Sequence, residues 1–213
     1  MKNQSKIIIF DWGGVIESHK EGEYSINRAI INLIKHFNSE EDENTIEERY
    51  HVQSVEDITY DIYLENDKWF QKIKHEFNLK CTTEAFYDYY IKEFDKIEYY
   101  KDVVKYAHSL KDKCKIGILS NLGSLDKQRL DKQVDLKQFD YVWLSFELNC
   151  RKPREKIYEI VENDCKLESR NILFIDDSKE NIQVAQKRGW NACLATGHEL
   201  EKIKEKVDEF LDK

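Results

Sequence analysis

Ile7-Ile8-Ile9-Phe10-Asp11-Trp12-Gly13-Gly14 is the stretch that decides the fold. A short, continuous apolar run rich in β-branched residues suits a strand buried on both faces, as in the middle of a parallel sheet. The run is too short to span a bilayer and stops at an acid, so it reads neither as a signal peptide nor as a membrane segment. Asp11 then stands at the carboxyl end of that strand. Ligands bind there in open α/β sheets. Taken alone, an Asp after a strand is more often a turn residue, so its meaning depends on the rest of the chain.

The same grammar recurs downstream. A helix around Lys101–Lys111 leads into Lys115-Ile116-Gly117-Ile118-Leu119, a second buried strand ending at Ser120-Asn121. A third strand is expected within Tyr141–Phe146, followed by a helix over 154–166 that Pro153 starts. Asn171–Ile175 is a fourth strand and closes on Asp176-Asp177. A helix over 179–188 stops at Gly189. Ala192–Ala195 is a short last strand, and Leu200, Ile203, Val207, Phe210 and Leu211 line a closing amphipathic helix. Strands alternating with helices imply α/β architecture, a Rossmann-like parallel sheet with helices on both faces.

Residues 17–98 break this alternation. Ile26, Ala29, Ile30, Leu33, Ile34 and Phe37 form one helical stripe, and Phe86, Tyr90, Phe94 and Ile97 form another. Thr45-x-x-Glu48 reads as a capping box, and the acidic run Glu40–Glu43 as a solvated loop. The tyrosines of this stretch, with Tyr99 and Tyr100 at its end, read as its core and surface, and Trp69 and Phe70 as packing residues with a lesser claim on substrate. The domain reading is therefore an α/β core of residues 1–16 and 99–213 with an α-helical insert at 17–98.

The chain has 213 residues, enough for such a core plus a modest insert, and a formal net charge of −8. That charge argues against a nucleic-acid binder, which needs a basic face to displace counterions. The five cysteines are scattered, odd in number and without CxxC spacing, so neither a disulfide framework nor a zinc site is indicated. A cytoplasmic, reducing setting and no membrane contact are the expectation.

Asp11, Ser120 and Asp176-Asp177 all end strands, and Lys152 opens the helix after the third one. A parallel topology brings such groups to one edge. Phosphate-ester hydrolysis can use this set. A carboxylate serves as covalent nucleophile, while a hard divalent cation on oxygen ligands relieves its repulsion from the phosphate. Asp11 with Asp176 or Asp177 supplies the oxygens. Lys152 neutralises the transferring group, and the Ser120 hydroxyl orients it.

These segments resemble the ordered motifs of the haloacid dehalogenase superfamily: FDWGGV at Phe10–Val15, ILSN at Ile118–Asn121, RKP at Arg151–Pro153 and FIDDSKEN at Phe174–Asn181. Ser145 and Glu147 fit its SxE…KP pattern, and the helical insert resembles its cap. The resemblance implies that Asp11 is both nucleophile and magnesium ligand, joined at the metal by the Gly13 carbonyl and by Asp176 or Asp177. It also implies that Ser120, Asn121 and Lys152 bind the phosphoryl group. The cap then closes over the site and selects a small-molecule phosphate ester. A monomer or weak homodimer is expected. Arg151 is expected in a structural or surface ion pair, and Trp12 in the site wall or under the cap.

One position departs from the pattern. Phosphatases of the superfamily usually carry a second aspartate, the general acid and base, where this chain has Gly13. Glu17 and His19 lie close enough in sequence to be weighed as replacements, although a hinge or surface role is the plainer reading. The FDxGG pattern resembles bacterial sugar-phosphate phosphatases of the glucose-1-phosphatase type. An anomeric leaving group needs less acid assistance, which points to sugar 1-phosphates. A dehalogenase, which also lacks the second aspartate, and a catalytically silent protein keeping the fold are the competing readings.

Overall fold

The computed structural model describes residues 5–18, 26–38, 40–60, 66–124, 126–127, 130 and 134–213. His19, one of the weighed acids, lies outside the described residues. The chain divides into two compact units, one of Met1–Ser18, Tyr99–Leu122 and Asp131–Lys213, the other of His19–Glu98 and Gly123–Leu130. Glu17, Ser18, Tyr99 and Tyr100 belong to the first.

The first unit is built on a parallel five-stranded sheet in the order β3-β2-β1-β4-β5. The strands are β1 (Ile7–Phe10), β2 (Lys115–Ser120), β3 (Tyr141–Leu144), β4 (Ile172–Asp176) and β5 (Asn191–Leu194). β1 sits in the middle, which is why all of its residues are apolar: both faces are covered, and Ile7, Ile8, Ile9 and Phe10 are wholly buried. Ile7 and Ile9 pack with Leu119, Ile172 and Phe174, and with Ile157, Tyr158, Val161, Ile182 and Ala185 from helices Glu155–Cys165 and Lys179–Lys187. Alternate strand residues face the other way. On that side helix Leu200–Leu211 packs along β4 and β5. The Lys6 ammonium caps the end of this helix through the carbonyls of Phe210 and Leu211.

The strand order decides where chemistry can happen. From β1 the chain first builds outward through β2 and β3, then returns to the other side of β1 for β4 and β5. The connections therefore part above the carboxyl ends of β1 and β4, leaving a crevice. Asp11 follows β1 directly, and Asp176 is the last residue of β4.

Local boundaries differ from the expectation in ways with physical causes. β3 ends at Leu144 and one helical turn follows at Ser145–Leu148. The longer helix starts at Glu155, with extended Arg154 as its N-cap, so Lys152 and Pro153 both precede the cap and neither occupies the first turn. Gly189 ends the helix before β5 as expected, with φ +83°.

The second unit is helical among its described residues: Ile26–Phe37, Glu43–Tyr60, Asn66–Glu76 and Thr83–Phe94. Ala29, Ile30, Leu33 and Ile34 from the first stripe join Phe86, Tyr90, Phe94 and Ile97 from the second in one core. Trp69 and Phe70 are buried in that core beside Phe86. The helix containing Thr45 begins three residues earlier than the capping-box reading required. Asp42 takes the cap, its carboxylate accepting from the Thr45 N–H and hydroxyl at 3.1 and 2.6 Å. Glu43 is accordingly the first helical residue and pairs with Arg28 and Lys35, so the acidic run is only partly a solvated loop.

Candidate active site

β1 delivers Asp11 to the crevice with its backbone still in the sheet, its N–H donating to the Ile175 carbonyl at 2.8 Å. β4 delivers Asp176, which is completely buried. The Lys152 ammonium, buried too, lies between them at 2.8 Å from Asp11 Oδ1 and 2.7 Å from Asp176 Oδ2. Asp177, the accessible member, completes a group in which one carboxylate oxygen from each of Asp11, Asp176 and Asp177 lies within 4.8 Å of the others.

Each position is held by contacts that the sequence does not announce. The Asn121 amide grips the backbone of Lys152 at both ends: Nδ2 donates to its carbonyl and Oδ1 accepts from its N–H, each at 2.9 Å. Asn121 thereby fixes the lysine, and its amide is turned to that backbone. The Ser145 hydroxyl accepts from the Leu122 N–H at 2.9 Å and donates to its carbonyl at 3.0 Å, tying the ends of β2 and β3 together. Ser120 is buried at the end of β2, and Glu147 is exposed. Arg151 is buried rather than on the surface, with its guanidinium 3.4 Å from the Lys152 carbonyl.

Asp176 is fixed from its own helix. Ser178 caps that helix and donates its N–H to Asp176 Oδ1 at 2.8 Å. Asn181, buried in the first turn, places its amide 3.1 Å from both carboxylate oxygens. The Tyr158 hydroxyl, packed in the sheet-face core, donates to the Asn181 carbonyl at 3.0 Å. Sequence reasoning assigned no role to Asn181. It closes the FIDDSKEN segment, and its place three residues after a cap serine puts it at the mouth of the same helix.

Two glycines make room. Gly14 has φ +71°, and a Cβ there would lie 2.1 Å from Asp177 Oδ2. The absent side chain is the space that Asp177 occupies. At Gly197 a Cβ would fall 2.0 Å from the Tyr100 ring, and the Gly197 N–H donates to the Gly14 carbonyl at 2.9 Å.

Burial raises Asp11 to about 8, with Asp176 and Asp177 adding repulsion and Lys152 opposing both. Burial works against the Lys152 ammonium as well, but Asp11 and Asp176 outweigh it and hold its pKa above the ordinary lysine value. Once Asp11 gives up its proton, three carboxylates face one ammonium, an excess of negative charge that a divalent cation fits. All donors are hard oxygens, the set that magnesium prefers.

Glu17 is completely buried and accepts from the Trp12 indole N–H at 3.0 Å. It is neither at the surface nor, through any contact described, directed at the carboxylate group. Trp12 is likewise fully buried.

The sequence profile of the haloacid dehalogenase-like hydrolases matches residues 8–195. No curated protein is significantly similar in sequence. Among solved structures, a HAD family enzyme of Bacteroides thetaiotaomicron in complex with magnesium and inorganic phosphate superposes with a TM-score of 0.70 at 19% identity, covering 88% of this chain and 92% of that one. A predicted HAD-like family hydrolase of Porphyromonas gingivalis gives 0.68 at 19% identity, covering 90% and 91%. The L-2-haloacid dehalogenase of Xanthobacter autotrophicus, with chloropropionic acid covalently bound, gives 0.60 at 16% identity, covering 90% and 76%.

Proposed function

Given that the chain belongs to the haloacid dehalogenase-like hydrolases, a family of phosphatases and dehalogenases, we propose that it is a magnesium-dependent phosphate monoester hydrolase acting through an aspartyl-phosphate on Asp11. The observation that carries this is the convergence of Asp11, Asp176 and Asp177 within 4.8 Å of one another, with a buried lysine on two of them. A dehalogenase attacks carbon and has no dianion to neutralise, so it has no use for the extra acidic pair.

In this reading Asp11, the Gly13 carbonyl and the Asp176–Asp177 pair hold the cation. Bound magnesium supplies charge neutralisation and a Lewis acid for the phosphoryl oxygens. An Asp11 oxygen attacks phosphorus, the P–O bond to the alcohol breaks, and water then cleaves the aspartyl-phosphate to release inorganic phosphate. The Lys152 ammonium balances charge on the transferring group, and Ser120 orients it. Asn121 acts one step back, by fixing the lysine. The helical unit is the cap that selects the leaving group.

Because Gly13 offers no proton, the leaving group must depart with little acid assistance. That favours sugar 1-phosphates, as in the glucose-1-phosphatase type. With no helix long and apolar enough to cross a membrane among the described residues and all five cysteines present as thiols, a cytoplasmic setting fits.

The test is phosphate release from a panel of sugar phosphates with magnesium. Turnover abolished by EDTA and by Asp11→Asn, and faster on hexose 1-phosphates than on 6-phosphates, is the expected outcome. Chloride release from a 2-haloacid in EDTA, without phosphate release, would replace this function with the dehalogenase reading.

A further inference from the structure

Trp12, next to Asp11, is held at every polar group it has. Its backbone N–H donates to Asp11 Oδ1 at 2.6 Å, the oxygen that also receives the Lys152 ammonium. Its carbonyl accepts from the N–H groups of Ile16 and Glu17 at 2.8 and 2.7 Å. Its indole N–H donates to Glu17 Oε2 at 3.0 Å. Glu17 in turn is anchored by backbone bridges to Gly13 and to Tyr99, and its carboxyl is completely buried. A carboxyl taken out of water is costly unless the fold employs it. Here it receives the one polar atom of a fully buried indole, which would otherwise lose its partner.

We propose that Glu17 is a positioning residue for the Asp11 carboxylate and acts through the Trp12 indole. Anchoring the ring sets the orientation of the peptide whose N–H holds Asp11 Oδ1. With the ring loose, that N–H wanders and the carboxylate rotates out of line for attack. A misaligned nucleophile slows the chemical step while leaving substrate binding alone. The inference rests on Asp11 being the nucleophile. Its rival is that the Glu17 carboxyl donates the proton that Gly13 cannot.

Steady-state kinetics with magnesium on the best ester of the panel separate the two, using Glu17→Gln, Glu17→Ala, Trp12→Phe and the double variant Trp12→Phe with Glu17→Ala. Gln keeps an acceptor for the indole but has no proton to give. Glu17→Gln should recover most of the activity that Glu17→Ala loses. Glu17→Ala and Trp12→Phe should each lower kcat by about tenfold with KM unchanged, and the double variant should be no slower than either, as for residues acting as one unit. Glu17→Gln as slow as Glu17→Ala would overturn the inference in favour of proton transfer. Multiplying losses, or losses expressed in KM, would overturn it as well.

A wild type without turnover, or an active Asp11→Asn, would instead defeat the reading of the site. A turnover-free measurement covers that case: the indole ¹H–¹⁵N resonance of Trp12 should move on Glu17→Ala, hold near its place on Glu17→Gln, and respond to Asp11→Asn. A resonance indifferent to Asp11→Asn would mean that Glu17 and Trp12 are not coupled to the carboxylate.

Discussion

Raising the pH from about 6 to about 8 without divalent cation should destabilise the folded chain, and magnesium should cancel that loss. The folded state holds Asp11 at about 8 against an ordinary 3.8, with burial the main cause. A raised carboxyl favours the protonated form in the folded state. Its contribution is thus fully present below the unfolded value and is lost as pH climbs through the folded one. Between these limits Asp11 holds one more proton in the folded chain than in the unfolded chain, a slope of about 1.4 kcal/mol per pH unit from this group. The difference between wild type and Asp11→Asn isolates it from the opposite slope of His108, lowered by burial. From about pH 6 to 8, where the slope flattens near the upper limit, this amounts to roughly 2 kcal/mol, or about 4–8 °C in Tm for a chain of this size. Lys152, held above the ordinary lysine value, stays charged throughout this range and adds no slope. Magnesium must displace the Asp11 proton, so its stabilising effect should widen by the amount that the metal-free protein loses. The assay is thermal unfolding at several pH values in EDTA and in magnesium, for wild type and Asp11→Asn. A gap between the two curves that does not change with pH would refute the reasoning. So would an Asp11→Asn variant that keeps the wild-type slope.

Further outcomes follow from single contacts. Gly14→Ala combines a left-handed backbone with a collision against Asp177; it should cost about 1–3 kcal/mol and weaken magnesium binding, measured by urea unfolding and metal titration. Asn121→Ala removes both hydrogen bonds on the Lys152 backbone and should lower kcat more than it raises KM, with a stability loss of about 1–3 kcal/mol; unchanged kcat would mean the lysine needs no such hold. Lys6→Met strips the cap from helix Leu200–Leu211 and should lower stability by about 1–2 kcal/mol while leaving turnover and magnesium affinity intact.

The expected strands fall at the observed ones to within a residue or two, because each is an apolar run whose burial follows from composition alone. The helical stripes at Ile26–Phe37 and Phe86–Ile97 were legible for the same reason: period 3.6 is written in the residues. Where the reading slipped, two local signals competed. Thr45 and Asp42 both suit an N-cap, and only the contact of the Asp42 carboxylate with the Thr45 N–H settles the choice. Pro153 suits a first helical turn, but Arg154, extended, takes the cap after it.

Chain order alone determined the alternating architecture and which polar groups end its strands, because hydrophobic period and strand-terminal position are local properties of a sequence. Only the tertiary structure decided what those groups do to one another. That Lys152 lies between Asp11 and Asp176, that Asn121 spends its amide on the lysine's backbone, that Asn181 braces Asp176 and that Gly14 is empty because Asp177 fills its space all depend on side chains meeting in the fold at hydrogen-bond range. Such contacts are fixed within tenths of an ångström by packing, and no residue type or spacing encodes a distance of that kind.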